Sequence, residues 1–167
     1  MLDLILRGGD VVTPQGVGQW DVAVAGERIA ALALPGTLEA HRVLDARGKI
    51  VVPGGVEPHT HLAHSISMHP DENLLTLGPE DDTRGMVFGG TTTHVDFCYV
   101  RPGNDLATTI EQRAARWKGN SYADYAFHVT LQGALPLNVF DQMPEAIQGG
   151  FPTFKVFTVD VLSLIHI

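Results

Sequence analysis

The chain has 167 residues, of which 44% are hydrophobic and 18% charged, and its formal net charge is -8. Such a composition builds a globular core rather than a disordered polymer, and an acidic balance without any basic run disfavours a binder of nucleic-acid backbone. No apolar stretch is long enough to span a bilayer. The opening Met1-Leu2-Asp3-Leu4 lacks the positive start of a signal peptide, and the single Cys98 permits no internal disulfide, so the expected compartment is the cytoplasm.

Short β-type runs separated by turn signals come first: Leu4-Ile5-Leu6 before Gly8-Gly9, Val11-Val12 before Thr13-Pro14, and Val22-Ala23-Val24 before Gly26-Glu27. Ile29 to Leu32, Arg42 to Asp45 and Ile50 to Val52 follow. Strands this closely spaced predict a small sandwich or meander over residues 1–52. After Pro53, strand-like runs alternate with segments of helical period, as in a parallel βα fold. The first strand of this part is expected over Ile50 to Val56. A helix should open near Pro79, where proline forfeits no hydrogen bond, and close at Gly89-Gly90. Thr91 to Phe97, rich in β-branched residues, is the second strand. Leu106, Ile110, Ala114 and Trp117 fall on one helical face, with Asn104 or Asp105 as N-cap and Gly119 as the stop. Tyr125 to Leu131 is the third strand, Val139 to Ile147 a short helix ending at Gly149-Gly150, and Thr153 to Thr158 the fourth strand.

The fold class expected is therefore α/β: a partial (β/α)8 TIM barrel over residues 53–161, preceded by the N-terminal part of a small β-sandwich over residues 1–52. A complete barrel needs roughly 250 residues, so the chain is expected to be a fragment. Leu162-Ser163-Leu164-Ile165-His166-Ile167 follows Val161 with no turn chemistry and reads as a non-native tail, residues 162–167.

Chemistry concentrates in Val51-Val52-Pro53-Gly54-Gly55-Val56-Glu57-Pro58-His59-Thr60-His61. Two histidines spaced by one residue at a strand end project to the same side and can share one metal ion. At the C-terminal end of a βα-barrel strand they would face the active site. A bare His-x-His is more often a pair of incidental loop residues; its place after an apolar strand and a Pro-Gly-Gly turn favours the metal. Lys155, taken alone, is a snorkelling or ion-paired lysine at a strand end.

Four stretches carry a resemblance: Pro53 to Leu62, Gly89-Gly90-Thr91-Thr92-Thr93-His94-Val95-Asp96-Phe97, Ser121 to His128, and Phe154-Lys155-Val156-Phe157. In this order they resemble the cyclic amidohydrolases, and more narrowly the D-hydantoinases and dihydropyrimidinases, over nearly the whole chain up to about Asp160. The resemblance implies that His59 and His61 are metal ligands. It implies that Lys155 is carboxylated by carbon dioxide to N6-carboxylysine, whose oxygens bridge two divalent ions, most commonly zinc. An ammonium offers a cation no lone pair, whereas a carbamate is anionic and offers two oxygens. The implied reaction is hydrolysis of the C–N bond of a cyclic amide by a metal-bound hydroxide. The implied assembly is a homo-oligomer, a tetramer or dimer, acting on a small molecule. Two further metal-binding histidines and the proton-shuttling carboxylate come from later strands of that family, so this chain alone is expected to be inactive.

Two positions depart from the family pattern. Asp160 stands where a ring-holding tyrosine is usual, and Ala63 where an acidic or amide residue is usual. An allantoinase-like activity is an alternative; a dihydroorotase is disfavoured because no Arg follows the His-x-His. A non-catalytic scaffold related to dihydropyrimidinase is a third reading, against which the retained His59, His61 and Lys155 speak. Of the other polar residues, His64 and His69 read as loop residues, and His94 and His128 as satisfied core or interlayer histidines. Asp96 reads either as a partner orienting a ligand histidine or as a structural hydrogen-bonder to the neighbouring loop. Cys98 reads as a small buried residue, and Pro79-Glu80-Asp81-Asp82 as an acidic helix start rather than a calcium loop.

Overall fold

The computed structural model describes residues 1–66, 74–101, 103–132, 135 and 137–157. His69, Asp160 and residues 162–167 lie outside the described residues. The chain divides into two compact units, Met1–Pro53 and Gly54–Ile167.

The first unit is one mixed sheet. β1 (Leu4–Thr13), β2 (Gly16–Ala25) and β3 (Arg28–Ala33) form an antiparallel meander, while β4 (Arg42–Asp45) and β5 (Ile50–Val51) each pair in parallel with β1. The two runs expected as separate strands before and after Gly8-Gly9 are one strand interrupted by a register shift between Leu6 and Gly9. Gly8 sits there at φ 68°, a left-handed conformation that favours glycine. The carboxylate of fully buried Asp21 accepts from the Gly8 and Gly36 amides at 2.8 and 2.9 Å and from Arg7 Nε at 3.3 Å. A charge so far from water is tolerable only when bonded in this way.

In the second unit strand and helix alternate: β6 (Gly55–Thr60), α1 (Pro79–Phe88), β7 (Thr91–Tyr99), α2 (Leu106–Trp117), β8 (Asp124–Leu131), α3 (Val139–Gln148) and β9 (Phe154–Val156). The strands form a four-stranded parallel sheet in the order β6-β7-β8-β9. The strand expected over Ile50 to Val56 is divided between the units: β5 ends at Val51 and pairs with β1, and β6 begins at Gly55 and pairs with β7. Pro53, with no N–H to give to a ladder, separates them. Asp105 rather than Asn104 caps α2, accepting the Thr108 amide at 2.7 Å. Glu80, Asp81 and Asp82 lie in the first turn of α1, where they complement the helix dipole.

Register assigns the two faces of this sheet. Phe97 pairs with His128, and Tyr99 with Thr130 and through it with Lys155, so these residues share one face. Thr60, Asp96 and Phe127 align on the other. On that side Phe127, Val129 and Leu131 join Leu106, Ile110 and Trp117 of α2 and Val139 and Ala146 of α3 in one apolar core. Helices occupy one face, leaving the opposite face and the strand ends for chemistry.

Candidate metal centre

His59 and Thr60 close β6 and His61 follows it. Because Thr60 turns toward the helix layer, pairing with Asp96, His59 and His61 turn the other way. Their Nε2 atoms lie 3.1 Å apart. With Zn–N bonds of about 2.05 Å, that separation corresponds to an N–Zn–N angle of about 98°, near tetrahedral. The pair thus fits one divalent ion as it stands.

Phe97, 3% exposed, is the floor of this site. His61 stacks on its ring at a centroid distance of 4.6 Å and 17°, and His59 meets it edge-on at 4.6 Å. Lys155 Nζ lies 5.6 Å from the same centroid and 5.2 Å from that of Phe157, so the lysine is brought to the ring on which both imidazoles rest. His61 loses solvent against this platform; that loss, with His64 and His59 nearby, lowers its pKa against the opposing pull of Asp96. A neutral imidazole is the form a metal needs. Among the described residues no three His, Cys, Asp or Glu side chains gather round one point.

His64, though it follows closely, is engaged elsewhere. Its Nε2 lies 2.7 Å from Asp96 Oδ1 and 2.7 Å from Arg113 Nη2, directed into the helix layer. Asp96, fully buried, accepts the Leu62 amide at 2.8 Å, Arg113 Nη2 at 2.8 Å and the Thr60 hydroxyl at 3.4 Å. Burial alone would raise its pKa; the His64 bond, the Arg113 charge and the Leu62 amide outweigh it and hold the carboxylate below its usual range. Of the two readings of Asp96, the bond to the neighbouring loop is the one formed.

The two strand histidines differ. His128 is half-buried and satisfied: its Nε2 donates to the Pro58 carbonyl at 3.0 Å, and its Nδ1 lies 2.7 Å from Thr153 Oγ1. His94 is fully buried beside Trp117, but neither ring nitrogen has a hydrogen-bond partner among the described residues. That corrects the expectation of a satisfied histidine; the strand places its ring in the interlayer against Trp117, out of hydrogen-bond reach of an acceptor among the described residues. Cys98 is 1% exposed, and burial pushes its thiol up to about 12, so it is no nucleophile. Sequence reasoning missed Phe97 as the platform and Arg113 as the charge partner of Asp96. The alternation along Val95, Phe97 and Tyr99 could have revealed the first; nothing local links Arg113 to a strand 17 residues earlier.

A parallel sheet covered by helices on one face, with imidazoles and a lysine at the rim of the other, is the arrangement of part of a βα barrel that carries polar groups at its strand ends. No protein-family model matches the chain. It is similar to the D-hydantoinase of Streptomyces coelicolor, with 34% identity over 92% of this chain and 33% of the relative. An allantoinase of Salmonella choleraesuis is 33% identical over 93% of this chain and 32% of the relative. Among solved structures, the dihydropyrimidinase from Brevibacillus agri superposes with a TM-score of 0.75 at 30% identity, covering 90% of this chain and 31% of that one. The chain belongs to the hydantoinase- and dihydropyrimidinase-like family of the cyclic amidohydrolases. It spans about a third of the length of the curated relatives it matches. Among the described residues no helix is long and apolar enough to cross a membrane.

Proposed function

We propose that the full-length protein hydrolyses the C–N bond of a cyclic amide, a hydantoin or dihydropyrimidine. The reaction would run at a centre of two divalent ions to which this chain contributes His59, His61 and Lys155, the last as N6-carboxylysine. The observation that carries this reading is convergence: two Nε2 atoms 3.1 Å apart and one lysine amine against a single Phe97 ring. Divalent ions there, zinc for imidazole and carbamate donors, supply Lewis acidity that polarises the scissile carbonyl and lowers the pKa of water. Neutral His59 and His61 bind through Nε2. The Lys155 amine, once deprotonated, adds to carbon dioxide and loses a proton to give a carbamate with two donor oxygens. Phe97 closes the floor and excludes water beneath the ligands.

In the same reading residues 1–52 are the N-terminal portion of a β-sandwich, residues 53–161 the first part of a (β/α)8 barrel, and the full-length protein a homo-oligomer. A second reading, hydrolysis of allantoin, is supported by the allantoinase likeness, whose 33% identity falls among the 30 to 34% of the D-hydantoinases. The test is metal content together with turnover of hydantoin, dihydrouracil and allantoin by the full-length protein and its His61→Ala and Lys155→Ala variants. Loss of metal and turnover in both variants is expected, with the preferred ring deciding between the readings. Unchanged metal stoichiometry in both would overturn the proposal.

A further inference from the structure

The His59-Thr60-His61 segment is held at each end through its backbone. Before it, the Pro58 carbonyl accepts from His128 Nε2 at 3.0 Å. The carbonyl can only accept, so Nε2 carries the proton, and Thr153 Oγ1 on Nδ1 completes the ring's bonding. After it, both backbone groups of Leu62 are engaged: its N–H donates to Asp96 and its carbonyl accepts from Arg113 Nη2. Asp96 and Arg113 are themselves paired at 2.8 Å, and their side chains are 0% and 12% exposed. The next residue, Ala63, has φ 51°, a left-handed conformation that costs a non-glycine residue about 1 kcal/mol. A strained residue persists only where its surroundings over-determine it; here the Ala63 N–H donates to the Leu77 carbonyl at 2.7 Å, and the Asp96 and Arg113 bonds fix Leu62 just before it.

We infer that His128 on one side and the Asp96–Arg113 pair on the other are positioning residues that clamp the backbone of the metal-binding His-Thr-His segment at both ends. The inference rests on the proposed metal site. None of the three touches an imidazole nitrogen of His59 or His61; they act through the chain to either side. Without the clamp the backbone on either side of the two imidazoles would be freer, and their Nε2 atoms would not stay 3.1 Å apart. Each would rotate toward water, and an ion would have to gather them first. Partners that orient metal ligands typically contribute 10- to 100-fold in affinity.

The test uses the full-length protein, loaded with Co2+ after removal of its own metal. Affinity and the visible absorption of the cobalt centre are recorded beside thermal unfolding. Asp96→Asn and His128→Leu are each expected to weaken Co2+ about 10- to 100-fold and to shift the absorption bands. His128→Gln, which can still donate to the Pro58 carbonyl, should recover most of the affinity, and Arg113→Lys should retain more than Arg113→Met. His61→Ala separates the two ideas. If it loses cobalt while folded Asp96→Asn and His128→Leu bind as the parent does, with the same spectrum, the clamp is overturned and the metal site stands. If His61→Ala binds as the parent does, the metal site fails and takes the clamp with it. Should Asp96→Asn not fold, the Leu and Gln variants of His128 decide, because failure of Gln to differ from Leu refutes positioning through Pro58.

Discussion

Replacing His94 with leucine should make the second unit more stable, and increasingly so as the pH falls. His94 is fully buried, lies 6.4 Å from Trp117 between ring centroids, and has two ring nitrogens without partners among the described residues. Each unbonded buried polar atom costs about 1–3 kcal/mol, so an apolar residue of similar volume relieves a penalty at any pH. A second contribution depends on protons. Burial lowers the His94 pKa below the ordinary 6.5, with Asp82, Glu57 and Asp96 opposing. Above pH 6.5 folded and unfolded chains are both neutral at this position, and nothing is lost. Below it the unfolded chain takes up a proton that the fold refuses, so stability declines until the depressed folded pKa is reached. Between pH 7.5 and pH 5.5 this amounts to at most about 1.4 kcal/mol. Urea unfolding followed by Trp117 fluorescence, in a Trp20→Phe background, measures both contributions. His94→Leu should raise the midpoint at pH 7.5 and widen its lead at pH 5.5. An identical pH dependence in the two proteins would refute the reasoning.

Two further outcomes follow from local geometry. Ala63 at φ 51° predicts that Ala63→Gly changes stability by less than about 1 kcal/mol, in the favourable direction. Ala63→Val, β-branched in a conformation it rarely adopts, should destabilise by more than about 1 kcal/mol; equal stability of the two variants in denaturant titrations would contradict the strain. The Cys98 thiol, pushed up to about 12 by burial, should resist iodoacetamide in the native chain at pH 8 and react in urea, as mass spectrometry of the alkylated protein can show.

Legibility varied with the range of the interactions involved. α2 was readable because Leu106, Ile110 and Trp117 recur at helical spacing and all three are buried in the core. His59 and His61 were readable as a pair because alternation along a strand sends residues i and i+2 to one side. The division of Ile50 to Val56 into two strands was not, since its apolar run is continuous and only Pro53 marks the boundary. The clamp was invisible: Leu62, Asp96 and Arg113 are joined by contacts spanning 34 and 17 residues, and neither composition nor period encodes such pairings.

By itself the sequence determined the order of elements, the family, and which residue types could bind a metal, because these depend on periodicity, turn chemistry and short motifs. Only the tertiary structure decided that His59, His61 and Lys155 meet at one phenylalanine, that His64 turns away toward Asp96, and that His94 is sealed without a partner. Strand register sets these outcomes. A slip of one residue would send every side chain to the opposite face, and register is chosen by the packing of the whole sheet against its helices.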